Sequence, residues 1–289
     1  MNRTTVALSL LAAVLAAPVF SQSFDGSGAS LQLPKLKFSA AKKDAAASGA
    51  MTKQSGADLY YFSPEEARAA AKKFGFRPKS QGFTYDRNVP AEIRTQMDAD
   101  LAFMAGIQGA GATPLHSQIF GKVGGAVYAE FFNSRVTGIG MNSCGGGKAV
   151  ACVIPFMDPS KMWLTQNFVK FSHPQVSRMM VVYHEARHTE SQNGNWPHAT
   201  CPTPFKDANG NDMKSIWTGA TLAGEPACDE TPMGSYGSST ILLKNIQKFC
   251  TSCNDKVKMD AGLYADDQFQ RIIDDGAKKQ MQDDLYKSE

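Results

Sequence analysis

The chain has 289 residues, 43% hydrophobic and 20% charged, with a formal charge of +3 and six cysteines. Such a chain can bury a sizeable core, which excludes wholesale disorder, collagen and a disulfide mini-protein. The small basic excess, with no run of five or more basic residues, gives no footprint for nucleic acid.

Residues 1–21, MNRTTVALSLLAAVLAAPVFS, have the layout of a signal peptide. Arg3 supplies the positive start, Val6 to Ala17 the apolar stretch, and Val19 and Ser21 the small residues before a cut at Ser21–Gln22. The mature chain is therefore expected to be periplasmic or secreted, with no membrane span. In an oxidising compartment an even cysteine count implies disulfides. Proximity suggests Cys144–Cys152, Cys201–Cys228 and Cys250–Cys253. A redox role for the last pair lacks the surrounding βαβ pattern, and a four-cysteine zinc site lacks a second CxxC.

Residues 22–57 are rich in Ser, Ala, Gly and Lys and poor in apolar anchors, which reads as a flexible linker or a pro-segment. From residue 58 to 289 one folded domain is expected, its N-terminal half reaching to about 192. Ser63-Pro64-Glu65-Glu66 starts a helix that runs to about Phe74. Val89-Pro90-Ala91-Glu92 opens a second, with Ile93, Met97, Leu101 and Met104 on one face and the glycines of 106–111 ending it. Ala126–Met141 is rich in β-branched and aromatic residues and reads as two short strands or a hairpin, and Ala149–Phe156 as another strand. Gly147-Lys148 fails as a phosphate loop, because Asn142 and Ala149 stand where Gly and Ser or Thr are needed.

Pro174–Glu190 is a strong helix, with Val176, Met179, Met180 and Tyr183 forming one apolar face and Asn193-Gly194 stopping it. Cys201–Cys228 is loop-like. Asp207–Asp212 lacks the closing Glu of a calcium loop, since position 218 is Thr. Two helices are expected near 237–250 and 266–285. No internal repeat is present.

Chemistry enters with His184-Glu185-Ala186-Arg187-His188, an HExxH on a predicted helix. Imidazoles four residues apart share a helix face, one turn apart, and both can reach one Zn²⁺. Glu185 lies beside that face and can take a proton from a water that the metal acidifies. His116 and His173 stand alone and suit core or capping roles. Trp196 either walls a cleft or packs its loop. Arg187 is expected to pair with an acid such as Asp229.

The motif resembles that of the zincin metallopeptidases. The resemblance implies an α+β fold with a small mixed sheet, an active-site helix and a mostly helical C-terminal subdomain. It also implies that a strand within Ala126–Phe156 forms the sheet edge that binds extended substrate. The stretch HEARHTE…HATC…ACDE…GSYG is similar to a set of bacterial exported proteins too, which implies a coherent domain but no substrate. A catalytic zinc needs a third protein ligand. His198 is the first choice by metzincin-like logic, although Gly194 and His198 sit further from His184 than in that pattern. Asp229, Glu225 and Glu230 are the alternatives, and those that do not ligate can orient an imidazole. Tyr236, three residues after Met233, is a poor match to a Met-turn. It either donates to the oxyanion of a tetrahedral intermediate or packs at a helix start.

The expectation is an exported zinc metallopeptidase acting on protein, peptide or peptidoglycan. The alternatives are a non-catalytic exported protein with a structural zinc, closed by a ligand such as Asp229, and a surface-interaction module.

Overall fold

The computed structural model describes residues 82–144, 149–170 and 173–287. The signal peptide, the linker and the helix expected at Ser63–Phe74 lie outside the described residues, as does most of the CGGG turn.

The architecture is α+β, a small mixed sheet followed by a mostly helical C-terminal part. In chain order, β1 (Thr84–Tyr85) leads to α1 (Ala91–Ala105), α2 (Pro114–Ile119) and α3 (Gly125–Asn133). Next come β2 (Gly138–Met141), β3 (Ala151–Ile154), β4 (Asp158–Leu164), the short α4 (Gln166–Lys170) and α5 (Gln175–His188). After a long loop the chain closes with α6 (Ser235–Phe249), α7 (Asp255–Phe269) and α8 (Asp275–Leu285). The sheet order is β1-β2-β4-β3; β1, β2 and β4 are parallel, and β3 pairs antiparallel to β4 at one edge.

The helix α1 forms as its pattern predicts: Ile93, Met97 and Met104 are buried along one face. The same face also buries Asp100, which takes two bonds of 2.6 Å from Nε and Nη2 of Arg178 on α5 and a third of 2.9 Å from Gln175. A fully buried ion pair of this kind gives little net stability when intact, but losing one partner strands a charge in the core.

Two expectations are corrected, and one strand is added. AVYAEFF is helical, not extended. Tyr128, Phe131 and Phe132 fall at helical spacing and pack on Tyr183 of α5, with Phe131 and Tyr183 stacked at 5.7 Å. At the start of α3, a Cβ on Gly125 would lie 1.8 Å from Ala105 O, so only glycine lets this helix abut the end of α1. The strand β4 went unpredicted, because its sequence DPSKMWL does not alternate cleanly and carries Pro159, a residue confined to strand ends and edges. The helix expected near 266–285 takes in only the end of α7, a break and α8, and most of α7 lies ahead of it; each helix has a side-chain cap, Asn254 accepting from Val257 N at 2.9 Å and Asp274 from Ala277 N at 2.7 Å.

The α5 helix was expected to bury one face, yet all fourteen of its residues are buried. Sheet strands β3 and β4 lie along one side, with α1, α6 and α7 around the rest. One large apolar cluster runs from Phe83 to Leu285. A second, small one holds Cys201, Met213, Leu222, Ala227 and Cys228 beneath the long loop. Disulfides join Cys144–Cys152, Cys201–Cys228 and Cys250–Cys253, as their proximity suggested. Among the described residues no helix is long and apolar enough to cross a membrane.

Candidate metal centre

The last turns of α5 carry His184, Glu185 and His188 into the interior. Beyond them, a 3₁₀ turn (Ser191–Asn193) and Gly194, at φ +67°, reverse the chain. Asn195 and Trp196 then both adopt left-handed backbone, at φ +63° and +46°. For a bulky Trp that region is strained. The local structure holds it there through Glu190, whose Oε2 accepts from Trp196 Nε1 at 2.7 Å and from Asn193 Nδ2 at 2.8 Å. The reversal brings His198 against the helix.

The three imidazoles converge. One ring nitrogen of each of His184, His188 and His198 lies within 4.8 Å of the other two, and among the described residues this is the group that can hold a metal ion. Nε2 of His188 and Nε2 of His198 are 2.9 Å apart. Two ligands on a tetrahedral zinc at 2.0–2.1 Å stand about 3.3 Å apart, within a few tenths of an ångström of this one pair.

Each ring is anchored from behind. His188 Nδ1 bonds Asn195 O at 2.8 Å, His198 Nδ1 bonds Asp229 Oδ1 at 2.7 Å, and His184 bonds the Ser235 backbone. An imidazole whose Nδ1–H is held by a backbone carbonyl or a carboxylate presents Nε2 as a lone-pair donor, the arrangement that metal sites require. Burial, then the neighbouring His188 and His198 and the Arg271 charge, hold the His184 pKa well below the ordinary histidine value. Burial and His198 push His188 down to about 3. These two rings are therefore neutral at physiological pH, as ligation needs.

Glu185 is fully buried, and among the described residues no donor meets either carboxylate oxygen at full hydrogen-bond geometry. Burial raises its pKa to about 8, opposed by the backbone of Val153. Val153 lies on the edge strand β3. Thr165 N donates to Val150 O, so residues 150 and 152 turn their backbone toward β4, while 151 and 153 turn theirs outward. The outer edge of β3 thus meets Glu185. A buried carboxyl group on the helix that carries two of three converging imidazoles fits a site for a hydrated metal ion.

The remaining acids separate clearly. Asp229 gives Oδ1 to His198, while its Oδ2 accepts from Tyr236 N at 2.7 Å and Gly237 N at 3.2 Å, the first turn of α6. It is placed to orient His198 and to cap a helix, with both oxygens engaged. Space for that carboxylate exists because residue 234 is glycine; a Cβ there would lie 2.3 Å from Oδ2. The Glu225 backbone carbonyl accepts from Cys201 N, and Glu230 is exposed. Neither joins the converging group. Arg187 pairs with Glu190 at 2.5 Å rather than with Asp229. Its second arm reaches Met233 O, and its guanidinium lies 4.6 Å from the Trp196 ring, so Trp196 packs its own loop. His116 bonds Gly121 O and Tyr128, and His173 bonds Tyr264, both away from the centre.

Tyr236 stands in the first turn of α6, its ring 4.7 Å from His184 and 4.6 Å from His198. Its hydroxyl accepts from Arg271 Nη1 at 3.1 Å. Arg271 is a residue that sequence reasoning missed. It is 1% exposed, lies 4.7 Å from the Tyr236 ring, and stands 3.7 Å from Asp267. No motif surrounds it in the sequence. Its backbone carbonyl accepts from Asp229 N at 2.9 Å, tying the α7–α8 connection to the same centre. Glu190, the acceptor of Arg135, Arg187, Asn193 and Trp196, was missed as well. No protein-family model, curated protein or solved structure matches this chain.

Proposed function

We propose that the chain is an exported, zincin-like, zinc-dependent metallopeptidase. One observation carries the reading: three back-anchored imidazoles converge, and Glu185, the residue that follows the first of them on the same helix, is buried with no full hydrogen bond to its oxygens among the described residues. His184, His188 and His198 would hold the Zn²⁺. When bound, the metal supplies a Lewis acid for the scissile carbonyl and acidifies a water. Glu185 would take a proton from the attacking water and return it to the leaving amine. Tyr236 faces the same space and donates to the developing oxyanion, with Arg271 holding its oxygen in place. The edge strand β3 meets Glu185 through its outer backbone, and an extended peptide would pair along it only once that buried edge is uncovered. Three disulfides support an oxidising, extracytoplasmic location.

Burial of the centre favours a second reading, a structural zinc: His184 and His188 are only 2% and 5% exposed. Against it, Asp229 has both oxygens committed elsewhere and is no fourth ligand in this arrangement. Elemental analysis and Glu185→Gln separate the two. The peptidase predicts about one zinc per chain in the wild type and in Glu185→Gln. It also predicts a fall of about 10²–10⁴ in hydrolysis of unfolded protein or peptidoglycan stem peptides by the variant. Full zinc with no wild-type hydrolysis leaves the structural reading, and no zinc even after reconstitution removes both.

A further inference from the structure

Two of the three imidazoles ride on a buried helix, but His198 does not. Its neighbours Gly194, Pro197 and Thr200 are exposed, and the apolar cluster beneath the loop is small. What places His198 is a short chain of ties. Ala199 and Cys228 pair as an isolated antiparallel bridge, with bonds of 2.7 and 3.1 Å in the two directions. Cys201 is bonded through sulfur to Cys228. Cys201 also exchanges backbone bonds with Glu225 and Gly224. Asp229, the residue after Cys228, holds the His198 ring at 2.7 Å. The disulfide therefore clamps the segment that bears the third imidazole onto the segment that bears its orienting carboxylate.

We propose that the Cys201–Cys228 disulfide is the positioning clasp of the third ligand, so that the oxidation state of this one pair sets how tightly the three-histidine centre holds its metal. The inference rests on the reading of the centre as a metal site. Closing the clasp transfers two electrons and two protons from the paired thiols to a disulfide oxidant, which leaves as a dithiol. With the clasp open, the segments at Cys201 and Cys228, 27 residues apart, are held together only by backbone bonds and a small apolar cluster. Ion binding must then order His198 and Asp229 together, at a cost in affinity. With the clasp closed, both are held in register beforehand. A chain whose thiols are still reduced is then a weak metal binder, and loading follows oxidation.

The test is zinc affinity, measured by competition with a chromophoric chelator on the purified chain. Cys201→Ala/Cys228→Ala is expected to bind zinc about 10–100-fold more weakly than wild type, the range seen when the group behind a ligand is lost. Cys250→Ala/Cys253→Ala, which removes a disulfide away from the centre, is expected to lose stability but keep wild-type affinity. In a His198→Ala background, removing the clasp is expected to change affinity no further, because the clasp acts through that ring. Circular dichroism confirms folding. If the double-alanine variant is unfolded, Cys201→Ala/Cys228→Val, which refills the small apolar cluster, carries the same comparison. Unchanged zinc affinity in a folded clasp variant overturns the proposal, as does an equal loss with and without His198. Wild-type protein that binds no zinc instead overturns the metal-site reading beneath it.

Discussion

The centre is assembled from two unlike regions. His184 and His188 stand on α5, all of whose residues are buried. His198 stands on a loop that runs between exposed residues over a small satellite cluster. In the first region position is a by-product of packing, and whatever moves the two imidazoles must also disturb the core. In the second, position comes from one covalent bond and a few polar ties, which can be cut while the core stays folded. Substitutions in the helix-borne region should register as lost global stability, and those in the loop-borne region as lost metal affinity.

The largest break should come from Arg178→Ala. It strands Asp100 in the core between α1 and α5, at a cost of about 3–5 kcal/mol. Urea unfolding reads the loss, and a cost below about 1 kcal/mol would contradict the account of this pair. Next is acid. Burial depresses the His116 pKa to about 4, against the ordinary value near 6.5. The unfolded chain then binds the proton more readily than the folded one, so His116 stabilises the fold above pH 6.5 and its contribution fades as pH falls toward 4. The contribution is about 2–3 kcal/mol across that window. His116→Gln should flatten the fall of unfolding free energy between pH 6.5 and 4, and an unaltered slope would remove His116 as its source. The smallest effect on stability and the most local on function belongs to Asp229→Asn. The neutral amide weakens both the hold on His198 and the cap on α6, lowering zinc affinity about 10–100-fold while stability falls by about 1 kcal/mol. Equal affinity in the variant and wild type would show that His198 needs no carboxylate behind it.

The same division marks what was legible in the sequence. HExxH gives its own geometry, because four-residue spacing on a helix fixes where two side chains point. His198 and the three cysteine pairs were readable from residue type and closeness along the chain. The roles of Asp229 and Arg271 depend on tertiary contacts. Asp229 could be named among the acids, but whether it ligates or orients rests on the first turn of α6, which meets it from another part of the chain. Arg271 carries no local signal, since its value lies in reaching Tyr236 across a helix connection. The stretch AVYAEFF misled because aromatic and β-branched residues favour strands in general, yet here they lie at helical spacing against Tyr183. In α5 a periodic face was visible, but burial of the opposite face depends on how many elements surround the helix.

The position of Asp229 has a mechanical consequence. A carboxylate is a rigid plate. Here one oxygen is fixed to the amides that begin α6 and the other to the ring of His198. Any slide of α6 against the strand-like segment at Cys228 must therefore rock the plate and swing the imidazole. The α6 helix packs on α7 and α8 and reaches the Cys250–Cys253 turn at its far end. A shift in the first turn of α6 would arrive at the histidine cluster as a rotation of His198, with the carboxylate as the crank.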